Sequence, residues 1–291
     1  MIATPIGNLS DLSLRALETI SDCDELWCED TRHTQNLLNA MKIEHKRLRR
    51  VDQHTPVDEI RQLLKKVEEQ GQHIGVVTDA GTPGISDPGA KVVELVTTFP
   101  GIRLEPIPGP SAVSSVLSVV GLEQNSFSFQ GFFPRETPAA LELLTLLQDD
   151  PLHRSFVFFE SPNRIRATLE LLASWSKGLE FTPKFFLAKE MSKIHETFYT
   201  GLGSDFLEHL LHQAFDERGE WVLVLLIPKD YVKNKKDQES WELTLECLIS
   251  AGISTKDASS LISGRFSIAK KLAYAAALEI QKKMKNNERE A

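Results

Sequence analysis

His73-Ile74-Gly75-Val76-Val77-Thr78-Asp79-Ala80-Gly81-Thr82-Pro83-Gly84-Ile85-Ser86-Asp87-Pro88-Gly89 is the stretch on which the reading of the fold turns. Residues 73–78 form a short apolar run bounded by turn formers, the pattern of a buried strand. Residues 79–89 hold three glycines and two prolines. Glycine opens positive φ and proline fixes φ, so this composition selects one backbone shape. A helical pattern follows near 89–99. Strand, restricted loop and helix in that order mark the C-terminal edge of a sheet, where open α/β domains bind ligands. The loop lacks Gly-Lys-Ser/Thr, which excludes a P-loop for nucleoside triphosphates. With Asp79 and Asp87 and no lysine, it suits a cationic or neutral ligand. The sulfonium of S-adenosylmethionine is such a ligand.

Upstream, the sequence predicts helices over 11–21 and 32–41 with a short strand at 25–29 between them. Thr55-Pro56-Val57-Asp58 opens a third helix, with Thr55 as cap, and Gly71 ends it. Met1-Ile2-Ala3 form a short first strand. Downstream come a strand at 102–107, the turn Pro108-Gly109-Pro110, and a helix at 111–120 capped by Ser111 and stopped by Gly121. The pattern changes around 122–126. Strands are expected at 126–133, 155–160, 184–190, 195–200 and 220–227, with helices at 137–147, 162–176 and 204–213. The pair 184–190 and 195–200 is close enough to form a hairpin. This is an α/β protein of two α/β domains, 1–122 and 123–228. A solvated linker at 229–240 and a small C-terminal helical appendage at 241–291, broken at Gly252 and Gly264, complete the expected layout.

The 291 residues are 41% hydrophobic and 25% charged, ordinary for a globular chain. No apolar run approaches the ~18 residues of a membrane span, and no export signal is visible. Cys23, Cys28 and Cys247 are odd in number and fit no zinc spacing. The eight histidines are scattered. A reducing, cytoplasmic compartment and no metal site are therefore expected. The net charge is −8, yet residues 229–291 carry 12 Lys and Arg against 9 Asp and Glu. An acidic body with a basic tail can still dock locally on RNA, although a solvated helical tail has the same signature.

Other loops at predicted strand ends carry candidate chemistry. Ala3-Thr4-Pro5-Ile6-Gly7-Asn8 turns from the first strand to the first helix and is not a Gly-x-Gly-x-x-Gly fingerprint. Pro106-Ile107-Pro108-Gly109-Pro110-Ser111-Ala112 offers small residues that let a ligand approach the backbone. Polar groups gather in Glu29-Asp30-Thr31-Arg32-His33-Thr34, Gln53-His54, Glu160-Ser161-Pro162-Asn163-Arg164 and Lys189-Glu190. Arg32 and Arg164 are candidate phosphate contacts. Asp30, His54, Glu160 and Glu190 are candidates for general bases or ribose partners. Taken singly, each is better explained as a helix cap or a surface ion pair.

Read in order, Ala-Thr-Pro-Ile-Gly-Asn, Glu-Asp-Thr-Arg-His-Thr, Thr-Asp-Ala-Gly-Thr-Pro-Gly-Ile-Ser-Asp-Pro-Gly, Pro-Ile-Pro-Gly-Pro-Ser-Ala, Gly-Phe-Phe-Pro-Arg and Phe-Glu-Ser-Pro-Asn-Arg resemble one family over roughly residues 2–228. It is the tetrapyrrole methylase superfamily (class III S-adenosylmethionine methyltransferases), and within it the 16S rRNA ribose 2′-O-methyltransferases. The resemblance implies two α/β domains with S-adenosylmethionine bound folded in the cleft between them. It implies a homodimer that methylates a cytidine 2′-OH in 16S rRNA of the assembled small ribosomal subunit, with no membrane partner. Carried over, Pro5, Gly7, Gly81, Thr82, Ile85, Ser111 and Ala112 line the donor cleft, with Phe159 and Glu190 as further donor-side contacts. The chain departs from the family in a shorter first strand. Asp52-Gln53-His54 stands where His-x-His is frequent, and Asn163 where His is common. His54 and Asp30, then Asp79, are the expected bases. Two other readings remain open at this level: a methylase of a tetrapyrrole or other small molecule, and a non-catalytic ribosome-assembly factor.

Overall fold

The computed structural model describes residues 1–87, 89–122, 126–150, 152–213, 215–228, 231, 241–250, 253–266 and 268–290. The chain divides into two compact units, Met1–Tyr231 and Val232–Ala291.

In the first unit, a parallel sheet in the order β2-β1-β3 is built from β1 (Glu25–Cys28), β2 (Arg47–Arg50) and β3 (Ile74–Val76). Residues 1–4 run beside β3, where Ile2 N–H donates to Val76 O at 2.8 Å. Both faces of this sheet are covered, as parallel sheets require. Helices α1 (Leu14–Asp22) and α2 (Thr31–Ala40) bring Ala16, Ile20 and Leu38 against Leu26 and Cys28. Helices α3 (Val57–Gln70) and α4 (Gly89–Val96) bring Ile60, Leu64 and Val92 against Trp27 on the other face. Gly71 ends α3 at φ +60, the left-handed conformation expected of a glycine stop.

Three local expectations are corrected. Of residues 102–107 only Ile107 joins a ladder, because its partner is the short segment 1–3: Ile107 N–H reaches Met1 O, and Ala3 N–H reaches Ile107 O. Pro56, not Thr55, occupies the N-cap of α3. The Thr55 hydroxyl is instead engaged by the Asp52 carboxylate at 3.1 Å. Ser111 sits at the N-cap of α5 (Ala112–Val120) but makes no side-chain capping bond.

The second sheet has the order β4-β5-β8-β6-β7, from β4 (Ser128–Phe132), β5 (Ser155–Glu160), β6 (Lys184–Lys189), β7 (Thr197–Leu202) and β8 (Trp221–Leu226). β4 and β5 are parallel; the other pairs are antiparallel, including the expected β6–β7 hairpin. Alternation sorts the two faces. Phe156, Phe158, Phe185, Leu187, Trp221 and Leu223 pack under α6 (Thr137–Gln148), α7 (Ile165–Lys177) and α8 (Gly203–His212). Val157, Phe186, Ala188, Val222 and Val224 face the other way, against Val113, Val116 and Val120 of α5 and against Ile6. A helix that follows the first sheet in sequence thus packs on the second. Each of these large side chains, when fully buried, stabilises by ~1.5–3 kcal/mol.

The second unit contains α9 (Trp241–Ser250), α10 (Thr255–Phe266) and α11 (Lys270–Glu290), around Leu245, Ala258, Ile262, Ala273 and Ala277. Gly264 lies inside α10 rather than breaking it. The expected break at Gly252, and the linker at 229–240 apart from Tyr231, fall outside the described residues.

Candidate active site

Parallel strands deliver their C-terminal ends to one edge. Glu29 and Asp30 follow β1, Asp52 follows β2, and Thr78 and Asp79 follow β3. A cavity of about 230 Å³ opens there, between the loops of the first sheet and one end of the second. Ala80, Gly81, Thr82 and Ile85 form one wall, and Ser111 and Ala112 another. Phe132, Phe159, Met191 and Val222 close the far side.

The loop shape has specific causes. Gly81 adopts φ +84 and exchanges both bridge hydrogen bonds with Thr4, at 2.9 and 3.1 Å. A Cβ there would lie 3.3 Å from Ile6 Cγ2, in a backbone conformation that L side chains avoid. Thr82 Oγ1 donates to Pro110 O at 3.0 Å and ties the two donor-side loops together. The Asp87 carboxylate accepts from the backbone N–H groups of Gly84, Ile85 and Gly89, so it organises the loop itself. Ser86, at φ +63, also reports the tight turn.

The lining fits an adenosyl sulfonium. Glu29, Asp87 and Glu220 contribute carboxylates, and no Lys, Arg or His is among the lining residues described. Such a wall repels phosphate and tolerates a cation. Phe132 and Phe159 meet edge to face, with centroids 5.7 Å apart, and supply apolar surface for a flat ring system. Among the described residues, no group of His, Cys, Asp and Glu is arranged to hold a metal ion.

The structure brings together six of the expected donor contacts: Gly81, Thr82, Ile85, Ser111, Ala112 and Phe159. Pro5 and Gly7 line an adjoining cavity instead, which shares Ile6 with the first. Glu190 lines neither cavity. It accepts from Lys193 Nζ and Glu220 N–H, both at 2.8 Å. Burial works against its charge, but these two bonds together with the positive charges of Lys193 and Lys189 outweigh burial and hold the Glu190 carboxyl below its ordinary value.

The expected bases fare differently. His54 is exposed, meets Gln53 Nε2 at 3.2 Å and lines neither cavity. Asp30 caps α2 and pairs with Arg32, whose side-chain and backbone hydrogen bonds lower its pKa to about 2, which makes it a poor proton acceptor. Asp79 lines the adjoining cavity, and its Oδ1 accepts Asp30 N–H at 3.2 Å. Arg32 remains 90% exposed in its side chain despite that pairing, so it is open to solvent. Arg164 is not: its Nε donates to Glu160 Oε1 at 2.8 Å and its NH2 to Phe133 O at 2.7 Å, neutralising a fully buried carboxylate.

The residue the sequence reading passed over is Glu29. It lines the donor-side cavity directly. Burial, reinforced by the charges of Asp79, Asp87 and Asp52, pushes its carboxyl above the ordinary value. The available signal was its place as the first residue after β1. The adjacent Asp30, also at the strand end, carried the same chemistry and drew the assignment.

Comparisons with known proteins identify the family. The family described as "Tetrapyrrole (Corrin/Porphyrin) Methylases" matches residues 1–206. The chain is similar to the "Ribosomal RNA small subunit methyltransferase I" of Escherichia coli O157:H7, 32% identical over 97% of this chain and 94% of that protein. The protein of the same name from Neisseria meningitidis serogroup B is 36% identical over 97% of this chain and 94% of its own length. That of Thermotoga maritima is 37% identical over 72% of this chain and 90% of its own. Solved structures of diphthine synthase and of the methyltransferase CobJ share the fold. Both are 14% identical and cover 78% of this chain; they are covered over 88% and 98% of their own lengths, with TM-scores of 0.55 and 0.53. The chain therefore belongs to the tetrapyrrole methylase family, among the ribosomal RNA small subunit methyltransferase I proteins.

Proposed function

We propose that this protein is a methyltransferase acting on 16S rRNA of the small ribosomal subunit, with S-adenosylmethionine as donor and a cytidine ribose 2′-OH as acceptor. The observation that carries the donor reading is the cavity walled by Gly81, Thr82, Ser111 and Ala112, which presents carboxylates and no cationic side chain. The rRNA reading rests on membership among the small-subunit methyltransferases over nearly the whole chain.

When bound, S-adenosylmethionine supplies an electrophilic methyl group on a sulfonium. The chain's own residues do the rest. The Gly81–Thr82 and Ser111–Ala112 backbones hold the donor, and Phe132 and Phe159 exclude water beside it. Alignment of nucleophile and methyl is itself worth ~7–11 kcal/mol. Glu29 is the base that takes the hydroxyl proton. A carboxyl raised above its ordinary value binds that proton more strongly than a free one, and general bases of this kind contribute ~10²–10⁴-fold. Arg32 contacts a flanking phosphate.

A homodimer in the cytoplasm completes the reading. Exposed Phe198 and Leu202 lie on β7, an edge strand, with Ile194 exposed beside it, and this apolar rim suits a second copy. The decisive experiment is labelled methyl transfer to small subunits purified from cells lacking the enzyme, followed by mapping of the product. Calorimetric donor binding with no transfer to any rRNA would sink the proposal.

A further inference from the structure

A second cavity, of about 350 Å³, adjoins the first and shares Ile6, Ala80 and Glu220 with it. One wall is a single face of α2: His33, Asn36, Leu37 and Ala40 follow the i, i+3, i+4, i+7 spacing that stacks side chains along a helix. The neighbouring face is self-satisfied, since Gln35 Nε2 donates to Asn39 Oδ1 at 2.9 Å. The side chains of His33 and Asn36 make no hydrogen bond within the described chain. An imidazole and an amide one turn apart thus line the cavity from the exposed side of the helix, without a hydrogen-bond partner in the described chain, next to Leu37 and Ala40.

We propose that this second cavity holds the nucleoside whose hydroxyl accepts the methyl group, with His33 and Asn36 contacting its base or ribose. The proposal rests on the rRNA-methylation reading and adds the acceptor subsite to it. Three observations support it beyond adjacency. The cavity is unsuited to a phosphate. Its acidic groups are Asp79 and Glu220, and its one ammonium group, Lys193, is already committed to Glu190 and Glu220 at 2.8 and 3.1 Å. A neutral nucleoside fits that balance, with its phosphates outside, where Arg32 precedes His33 on the same helix. An amide carries both donors and an acceptor, the complement of a base edge freed from its stack. Finally, the cavity is built to shape. A Cβ at Gly7 would fall 2.4 Å from Lys193 Cγ and 2.9 Å from Met191 O, so only glycine lets residues 4–9 close against 191–193.

The test uses the full chain carrying Asn36→Leu or His33→Ala, both on an exposed helix face and expected to fold. S-adenosylmethionine binding is measured by calorimetry, and initial rates of labelled methyl transfer are measured against the concentration of small subunits from cells lacking the enzyme. Donor affinity should stay within about twofold while kcat/KM for subunits falls at least about tenfold in each variant, with the loss mainly in KM. Wild-type kcat/KM in both variants would overturn the assignment, as would a parallel loss of donor binding, which would make the cavity part of the donor site. Wild-type protein that binds donor but leaves subunits unmethylated would refute the functional reading itself, and this subsite with it.

Discussion

The Asp79 carboxylate accepts the backbone N–H of Asp30 at 3.2 Å, locking the end of β3 to the end of β1. It does so beside Glu29, whose carboxyl it helps to raise. Asp79→Asn keeps an acceptor oxygen for that bond but removes the charge. The Glu29 pKa should then fall, and the acid limb of the kcat/KM profile should move to lower pH. A limb that stays in place after this substitution rules out Glu29 as the titrating base.

Replacing Glu29 itself separates chemistry from stability. Glu29→Gln should lower methyl transfer by ~10²–10⁴-fold with donor affinity preserved. The sign of the stability effect follows from linkage. A carboxyl raised in the folded state favours folding while protonated, and that advantage disappears as pH climbs through the raised pKa. At neutral pH the ionised group is therefore a liability, and Glu29→Gln should raise Tm there but not below the ordinary glutamate range. Thermal melts at about pH 3 and pH 8 check this.

Asp30 gives a contrasting outcome. Its carboxyl, with a pKa of about 2, is ionised at any working pH, and asparagine caps a helix equally well. Asp30→Asn should leave the pH profile unshifted. Arg32→Ala should weaken modification of small subunits at limiting concentration while donor affinity is kept. Unchanged turnover under those conditions contradicts a phosphate contact at Arg32.

Arg164→Ala should act through folding. It strands the fully buried Glu160 carboxylate, which retains only Thr168 Oγ1 at 2.6 Å and Ser161 N–H at 2.7 Å as neutral donors. Breaking a buried pair in this way costs ~3–5 kcal/mol. Chemical denaturation should show that loss, and Glu160→Gln combined with Arg164→Ala should recover part of it.

Gly81→Ala tests the donor loop. The substitution forces φ +84 on an L residue and presses a methyl toward Ile6 Cγ2. A strain of ~1–3 kcal/mol is expected, with a matching loss of donor affinity measured by calorimetry.

Much of this was legible in the sequence because glycine, proline and short apolar runs act locally. The loop after β3, the stops at Gly71 and Gly121 and the β6–β7 hairpin all follow from residues within a few positions of one another. What was not legible depends on distant partners. Residues 102–106 carry a strand-like pattern, but pairing is limited by residues 1–3 a hundred positions away. Arg164 has the composition of a phosphate contact until Glu160 is found buried against it. Glu29 and Asp30 are equivalent on paper. Only the fold gives one of them an arginine partner and leaves the other at the cavity wall with three acidic neighbours.

Helix α5 begins at the donor loop yet spends its apolar face on the opposite sheet, where Val113, Val116 and Val120 meet Val157, Val222 and Val224. The two lobes are in effect riveted by one short element. Hinge motion between them would have to shear that valine seam. The crevice should accordingly keep its width whether filled or not, and hydrogen exchange across α5 and β8 should slow together as a single unit.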